Sequence, residues 1–189
     1  MSYDLYCYKS QLGRPELEEA QAIIEIDEGD DDDNNVKSDP ELKLKIAKTL
    51  IDYNPRLESF QFDYDEIAKL QGTSVDEAKE KFDHIELNTL EGDLATQITI
   101  FDNNVSITIP YWYSGDKAKD VFDRVSEYIK IIHKIAGYFV YDPQTEKVYD
   151  PPTTSFDGLA IYSNMAGEVE HMKSEQVNKV DKKPWWRFW

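Results

Sequence analysis

Apolar and polar residues alternate in two parts of the chain, and a period of two is typical of β-strands. Residues 2–9 alternate in this way and are rich in tyrosine. Residues 98–109 alternate on both sides of Asp102-Asn103-Asn104, whose side chains suit the left-handed backbone of a tight turn. We therefore predict a first strand over 2–9 and a β-hairpin over 98–109.

Four other segments space their apolar residues three or four positions apart, as amphipathic helices do. They are residues 15–26, 39–54, 74–82 and 116–136. Asp39 and Ser74 are suitable N-caps for the second and third helices, and Ser114 or Asp116 can cap the fourth. Gly137 follows the fourth segment, where glycine commonly ends a helix.

Strands and helices in this order predict the α+β class. We expect a small, mainly antiparallel sheet of three to four strands with helices packed on one face. Its strands would be the first strand, the hairpin and a short strand after Gly137. Residues 1–152 are predicted to form a single α+β domain that contains an acidic loop over 27–38. Residues 153–189 are predicted to form a helical appendage with a tryptophan-rich tail.

The chain is strongly acidic, with 38 acidic residues against 21 basic ones and a formal net charge of -17. This charge repels nucleic acid and would attract a cationic protein. No apolar run approaches the roughly 20 residues that span a bilayer, and the start of the chain lacks the features of a signal sequence. With a single cysteine, which cannot form an internal disulfide, these features favour a cytoplasmic location.

Acidic residues are concentrated in one segment that overlaps the predicted loop. They are Glu25, Asp27, Glu28, Asp30, Asp31, Asp32 and Asp33. The following Val36 stands where a calcium-binding EF-hand needs glycine, and Leu42 stands where it needs glutamate. We interpret the segment as a solvated loop or, alternatively, as a contact for a basic partner, and we predict no metal there.

Residue types that carry catalysis are isolated from one another. His84, His133 and His171 lack the neighbouring histidine or cysteine that a zinc site requires. Cys7 lies among tyrosines in the first strand, where a buried structural thiol is expected. The glycines form no phosphate-binding loop, nucleophile elbow or dinucleotide motif. We therefore predict no catalytic residue and no cofactor, and we do not expect an enzyme.

Two aromatic groups are candidates for partner contacts, because large aromatic side chains anchor many protein interfaces. The first group, at the end of the hairpin, is Tyr111, Trp112 and Tyr113, of which at least one is expected to pack in the core. The second group is Trp185, Trp186 and Trp189. These tryptophans bury nothing unless they dock on a partner, on the protein itself or on a membrane interface, and the net charge disfavours anionic lipid.

Two stretches of the chain carry a family resemblance. They are Ser2-Tyr3-Asp4-Leu5 and Gly137-Tyr138-Phe139-Val140-Tyr141-Asp142-Pro143-Gln144. Together they resemble a group of small bacterial proteins associated with polymorphic-toxin genes. The resemblance implies an immunity protein, which binds and blocks a cognate toxin, and it assigns no functional residue.

The expected function is neutralisation of a cognate protein toxin, for which a basic protein is one candidate, by steric or electrostatic blocking. An acidic field would speed the capture of a basic toxin. The alternative is an adaptor or chaperone-like protein that docks through its tryptophan-rich tail. A third alternative is an enzyme of unfamiliar type that uses paired carboxylates.

Overall fold

A computed structural model describes residues 2–28, 39–152 and 158–168 of the chain. The elements are β1 (Ser2–Tyr8), α1 (Leu17–Glu28), α2 (Pro40–Tyr53), β2 (Leu57–Ser59), α3 (Tyr64–Gln71), α4 (Val75–Lys81), β3 (Ile85–Thr89), β4 (Gln97–Ile100), β5 (Asn104–Pro110), α5 (Asp116–Ala136), β6 (Phe139–Asp142), β7 (Lys147–Tyr149) and a sixth helix, α6, over residues 159–168. The α+β class is confirmed. Helix α1 starts and ends two residues later than predicted, so Asp27 and Glu28 are helical and do not belong to a loop.

The sheet is larger than the sequence predicts. Seven strands pair antiparallel in the order β2-β3-β4-β5-β1-β6-β7, so the prediction of three to four strands was wrong. The two edge strands, β2 and β7, have only three residues each, and such short segments show too little alternation to be counted firmly as members of a sheet. Strand β3 carries only Ile85 and Leu87 as apolar alternating positions.

One face of the sheet holds the main core and packs against α2, α5 and α6. Every second residue of β1 contributes to this core, and so do the isoleucines and valine of the β4–β5 hairpin, as the period of two predicts. The fully buried ring of Tyr3 lies at its centre and meets Phe122 and Tyr162 edge to face, with ring centroids 5.4 and 6.0 Å apart. Through Tyr162, α6 therefore shares the core of the sheet.

The expectation that helices pack on one face only was also wrong. Helix α1 covers part of the opposite face, where Ala20 packs against Tyr8 and Tyr141 in a second, smaller core. The register of β1 with β6 places these tyrosines on the side away from Tyr3. Two of the β1 positions that alternate with the main core, Tyr6 and Tyr8, are tyrosines, whose large rings can bury apolar area as well.

The predicted helix ends are confirmed at most positions. The Asp39 side chain accepts a hydrogen bond from the Leu42 amide at 3.0 Å, and Ser74 forms a capping box at the start of α4. Gly137 ends α5 in the left-handed conformation, with φ of 70°. The prediction for the start of α5 was wrong, because its N-cap is Gly115 and no side chain caps it.

The two stretches that carry the family resemblance meet in the structure. The Tyr3 hydroxyl donates a hydrogen bond of 2.6 Å to Oδ2 of Asp142, and both residues are fully buried. Oδ1 of Asp142 accepts from the Gln144 backbone amide at 3.0 Å. The Gln144 side-chain amide, turned with its nitrogen towards β1, donates to the Asp4 backbone oxygen at 2.9 Å. These motifs therefore join β1 to the β6–β7 turn and serve the scaffold.

Candidate functional site

The face of the sheet opposite α2 and α5 is polar along its middle strands. Six partly exposed polar side chains of β3, β4 and β5 that alternate with the core residues line it, whereas Asn104 at the start of β5 is buried. The six are Glu86, Asn88, Gln97, Thr99, Ser106 and Thr108. In the described ranges, the second core reaches this face only at β1, β6 and β7, so an open polar face remains beside it.

A cluster of aromatic rings lies at one end of this polar face. We call it the aromatic patch, and its members are Phe60, Phe62, Tyr64, Phe82, His84 and Phe101. Phe62 is at its centre, with its ring centroid 5.1 Å from that of Phe60, 5.7 Å from that of Phe82 and 5.0 Å from that of His84. The His84 ring lies 5.3 Å from the ring of Phe101.

Three separate segments position the aromatic patch. Phe60 directly follows β2, and its amide donates to the Glu86 backbone oxygen at 2.8 Å, so it continues the pairing of β2 with β3. His84 precedes β3 and Phe101 follows β4, and the register of these strands sets the two rings side by side. Phe82 caps the C-terminal end of α4, which brings the α3–α4 pair to the same place.

None of the six rings of the aromatic patch belongs to either core. All are partly exposed, and Phe60 is 50% exposed. The sequence-based predictions above do not include this cluster, although Phe60, Phe62 and Tyr64 occupy alternate positions along the chain. Contiguous exposed apolar groups of this kind mark interaction sites more often than scattered ones do.

A buried lysine lies beside the aromatic patch. The Lys43 ammonium group is 2.9 Å from Oδ2 of Asp83 and 3.1 Å from Oδ1 of Asp102, and it also donates to the Asp83 backbone oxygen at 2.6 Å. Burial disfavours its charged form, but the hydrogen bonds to the two carboxylates outweigh this, so the pKa of Lys43 is raised. Two carboxylates thus accompany one ammonium group, and this trio carries a net negative charge.

Burial among the rings of the aromatic patch lowers the pKa of His84. Desolvation is the main cause of the lowered pKa, and the positive charge of Lys43 lowers the pKa further. The carboxylate of Glu86 acts in the opposite direction and raises the pKa. The pKa of His84 therefore lies below its ordinary value of 6.5. Near neutral pH this ring is uncharged and is part of an apolar surface.

The predicted aromatic contacts after the hairpin divide between core and surface. Tyr111 is buried and stacks on Tyr162 with ring centroids 5.3 Å apart. The Tyr113 hydroxyl accepts a hydrogen bond from the Ala95 amide, whereas Trp112 is 62% exposed. Trp112 follows the end of β5, and the aromatic patch lies near the start of that strand. About 20 Å of strand separates them, so they are distinct surfaces.

The other predicted contact residues have no described side chains. Glu25, Asp27 and Glu28 lie in α1, of which only the backbone is described at these positions. Asp30, Asp31, Asp32 and Asp33 lie outside the described residues, and so do Trp185, Trp186 and Trp189. These assignments therefore stay predictions.

Groups that could support other chemistry are placed as follows. In the described ranges, no three His, Cys, Asp or Glu side chains are grouped so that they could hold a metal ion. The Cys7 thiol is buried, and desolvation raises its pKa to about 12. Nδ1 of His133 is hydrogen-bonded to the Tyr138 backbone oxygen at 2.8 Å. Among the same residues, no helix combines the length and apolar character needed to cross a membrane.

Comparisons with known proteins add no family assignment. Neither the protein-family models, nor the curated proteins, nor the solved structures contain a match to this chain.

Proposed function

We propose that this protein binds a cognate protein toxin in the cytoplasm and neutralises it by steric or electrostatic blocking, as an immunity protein does. The observation that carries the proposal is the aromatic patch, a group of partly exposed rings on the surface of a chain with a net charge of -17. Exposed aromatic rings lower the solubility of a protein, whereas at a binding surface they provide a large contact area.

Electrostatics suits this proposal. A strongly acidic protein attracts a basic partner over distances of about 10 Å at ordinary ionic strength. Such attraction raises association rates more than it raises the final affinity. An inhibitor that must capture a toxin before the toxin reaches its target benefits from fast association.

The scaffold role of the two resemblance motifs also supports the proposal. Because the Tyr3 hydroxyl and the Gln144 backbone amide both donate to the buried Asp142 carboxyl group, these residues join the strands of the sheet and leave recognition to other residues. Members of an immunity group that share a scaffold would then differ in their contact surfaces. The acidic segment over 25–33, the aromatic patch and Trp112 are the proposed contact surfaces of this chain.

The test is co-expression of this chain with the product of the neighbouring open reading frame in a bacterial host. We expect the neighbour alone to stop growth and the pair to restore it, and we expect the two proteins to copurify. The double variant Phe60→Ala/Phe62→Ala should weaken protection, whereas Leu70→Ala, which truncates a leucine that is 78% exposed on α3, should not. A neighbour that is harmless with and without this protein would contradict the proposal.

A deletion variant distinguishes the adaptor alternative. An adaptor that docks through its tail should lose its partner when residues 184–189 are removed. An inhibitor that binds through the acidic and aromatic surfaces should keep its partner and its protective effect.

A further inference from the structure

We infer that the aromatic patch receives a cationic side chain of the partner, with the guanidinium group of an arginine as the favoured occupant. The inference deepens the proposed function and rests on it for the identity of the partner. It places at the aromatic patch a specific contact for the basic partner that the net negative charge of the chain attracts.

Two glutamates are neighbours of Phe60 in the sheet. Glu58 is paired with Asn88 in the sheet, and the pairing continues to Phe60 opposite Glu86. Because side chains two residues apart on a strand share a face, Glu58 and Glu86 lie on the same side of the sheet as Phe60. Glu58 is exposed, and Glu86 is partly exposed.

The segment that contains Phe60, Phe62, Phe82 and His84 is strongly acidic. Between residues 58 and 86 the chain has nine acidic side chains and three basic ones, which leaves a formal charge of -6. Lys43, which lies beside the aromatic patch, is already paired with Asp83 and Asp102. A cation that arrives from outside therefore meets uncompensated negative charge beside aromatic rings.

The side chain that binds here must be compatible with both aromatic rings and carboxylates. A guanidinium group can stack on the face of an aromatic ring and can pair with a carboxylate through its planar N–H groups. An aliphatic occupant would cover the rings, but it would also remove water from the carboxylates of Glu58 and Glu86 without supplying a positive charge; Oε1 of Glu86 accepts only a neutral hydrogen bond, from the Asn88 side chain at 2.6 Å. Arginine satisfies the rings and the carboxylates together.

The test uses the full chain and three short peptides as probes. They are acetyl-Gly-Arg-Gly-amide, the same peptide with neutral citrulline in place of arginine, and the same peptide with leucine. Titrations are followed by NMR through the aromatic carbon–proton signals of Phe60, Phe62 and His84. We expect saturable shifts with the arginine peptide and binding weaker by about fivefold or more with the citrulline peptide, because the cation supplies the attraction.

Matched variants separate the contributions of ring and carboxylate. Phe60→Leu keeps an apolar side chain but removes the ring, and Glu58→Gln keeps the size but removes the charge. Both should weaken binding of the arginine peptide by about threefold or more, since each removes one attraction. Leu70→Ala is the control and should leave the titration unchanged.

Three outcomes would overturn the inference. Equal binding of the arginine and citrulline peptides would show that charge has no role. Preference for the leucine peptide would assign the patch to an apolar anchor. Binding of the arginine peptide only after removal of residues 184–189 would assign the patch to the chain's own basic, tryptophan-rich tail.

The inference and the proposed function can fail separately. A chain that binds the arginine peptide but protects against no neighbouring toxin would contradict the proposed function alone. The inference alone would be contradicted by two results together. The Phe60→Leu variant would protect fully, and the parent chain would not bind the arginine peptide.

Discussion

Replacing Tyr3 by phenylalanine tests the scaffold role of the bond between β1 and the β6–β7 turn. The substitution keeps the ring, and with it the edge-to-face contacts to Phe122 and Tyr162. It removes only the hydroxyl that donates to the buried carboxyl group of Asp142 at 2.6 Å. No cavity larger than one oxygen atom is created, so the measured effect reports the hydrogen bond.

The expected cost is about 2 kcal/mol, because a hydrogen bond to a charged group contributes about 1.5–3 kcal/mol and its loss leaves a buried acceptor unsatisfied. Oδ1 of Asp142 keeps the Gln144 amide, which holds the cost below that of a completely unpaired carboxyl group. For a chain of this length, 2 kcal/mol corresponds to a decrease in Tm of about 4–8 °C.

Urea-induced unfolding of the parent chain and the variant measures this cost directly. The matched control is Tyr53→Phe, whose ring is 48% exposed and should shift the free energy of unfolding by less than about 0.5 kcal/mol. Asp142→Asn completes a double-mutant cycle, and its coupling energy with Tyr3→Phe should exceed about 1 kcal/mol. A Tyr3→Phe variant as stable as the control, or a coupling energy near zero, would refute the structural role of this bond.

Three other perturbations test separate parts of the structure. Gly137→Ala should lower the free energy of unfolding by about 1–2 kcal/mol because φ is +70° there, whereas Gly167→Ala, in a helix without steric conflict, should not destabilise; urea unfolding compares them. Because the pKa of His84 is lowered in the folded chain, the imidazole takes up a proton at higher pH in the unfolded chain than in the folded one. The free energy of unfolding should therefore fall as pH decreases below about 6.5, and it should fall less in the His84→Gln variant. Urea titrations at a series of pH values measure both effects. The Cys7 thiol should react with iodoacetamide only in denaturant, as mass spectrometry would show, and rapid modification of the native chain would contradict its burial.

The parts of the fold that follow from local chemistry were predictable from the sequence. Asp39 caps α2, Ser74 opens α4 and Gly137 closes α5, because each of these residues satisfies the backbone at a helix end by itself. The β4–β5 hairpin was predictable for the same reason, since its alternation and its turn lie within one continuous segment.

The full size of the sheet and the aromatic patch depend on pairing between segments, which the pattern along the chain shows only weakly. Strands β2 and β7 have three residues each and show no clear period, and their place in the sheet depends on hydrogen bonds to β3 and β6. The aromatic patch joins Phe60, His84 and Phe101 from three segments, and no pattern along the chain connects these residues. The alternation of β1 places Tyr8 on the same face as Asp4, and the pattern alone does not show that α1 buries this tyrosine in the second core.

We propose that this protein captures a protein toxin through an acidic surface with exposed aromatic rings. The most direct measurement is the association of the purified chain with the purified product of the neighbouring open reading frame, followed by stopped-flow fluorescence at several salt concentrations. We predict saturable binding whose association rate falls by about tenfold or more between low and high salt, with a smaller change in the dissociation rate. Absence of binding, or an association rate that does not change with salt, would contradict the account.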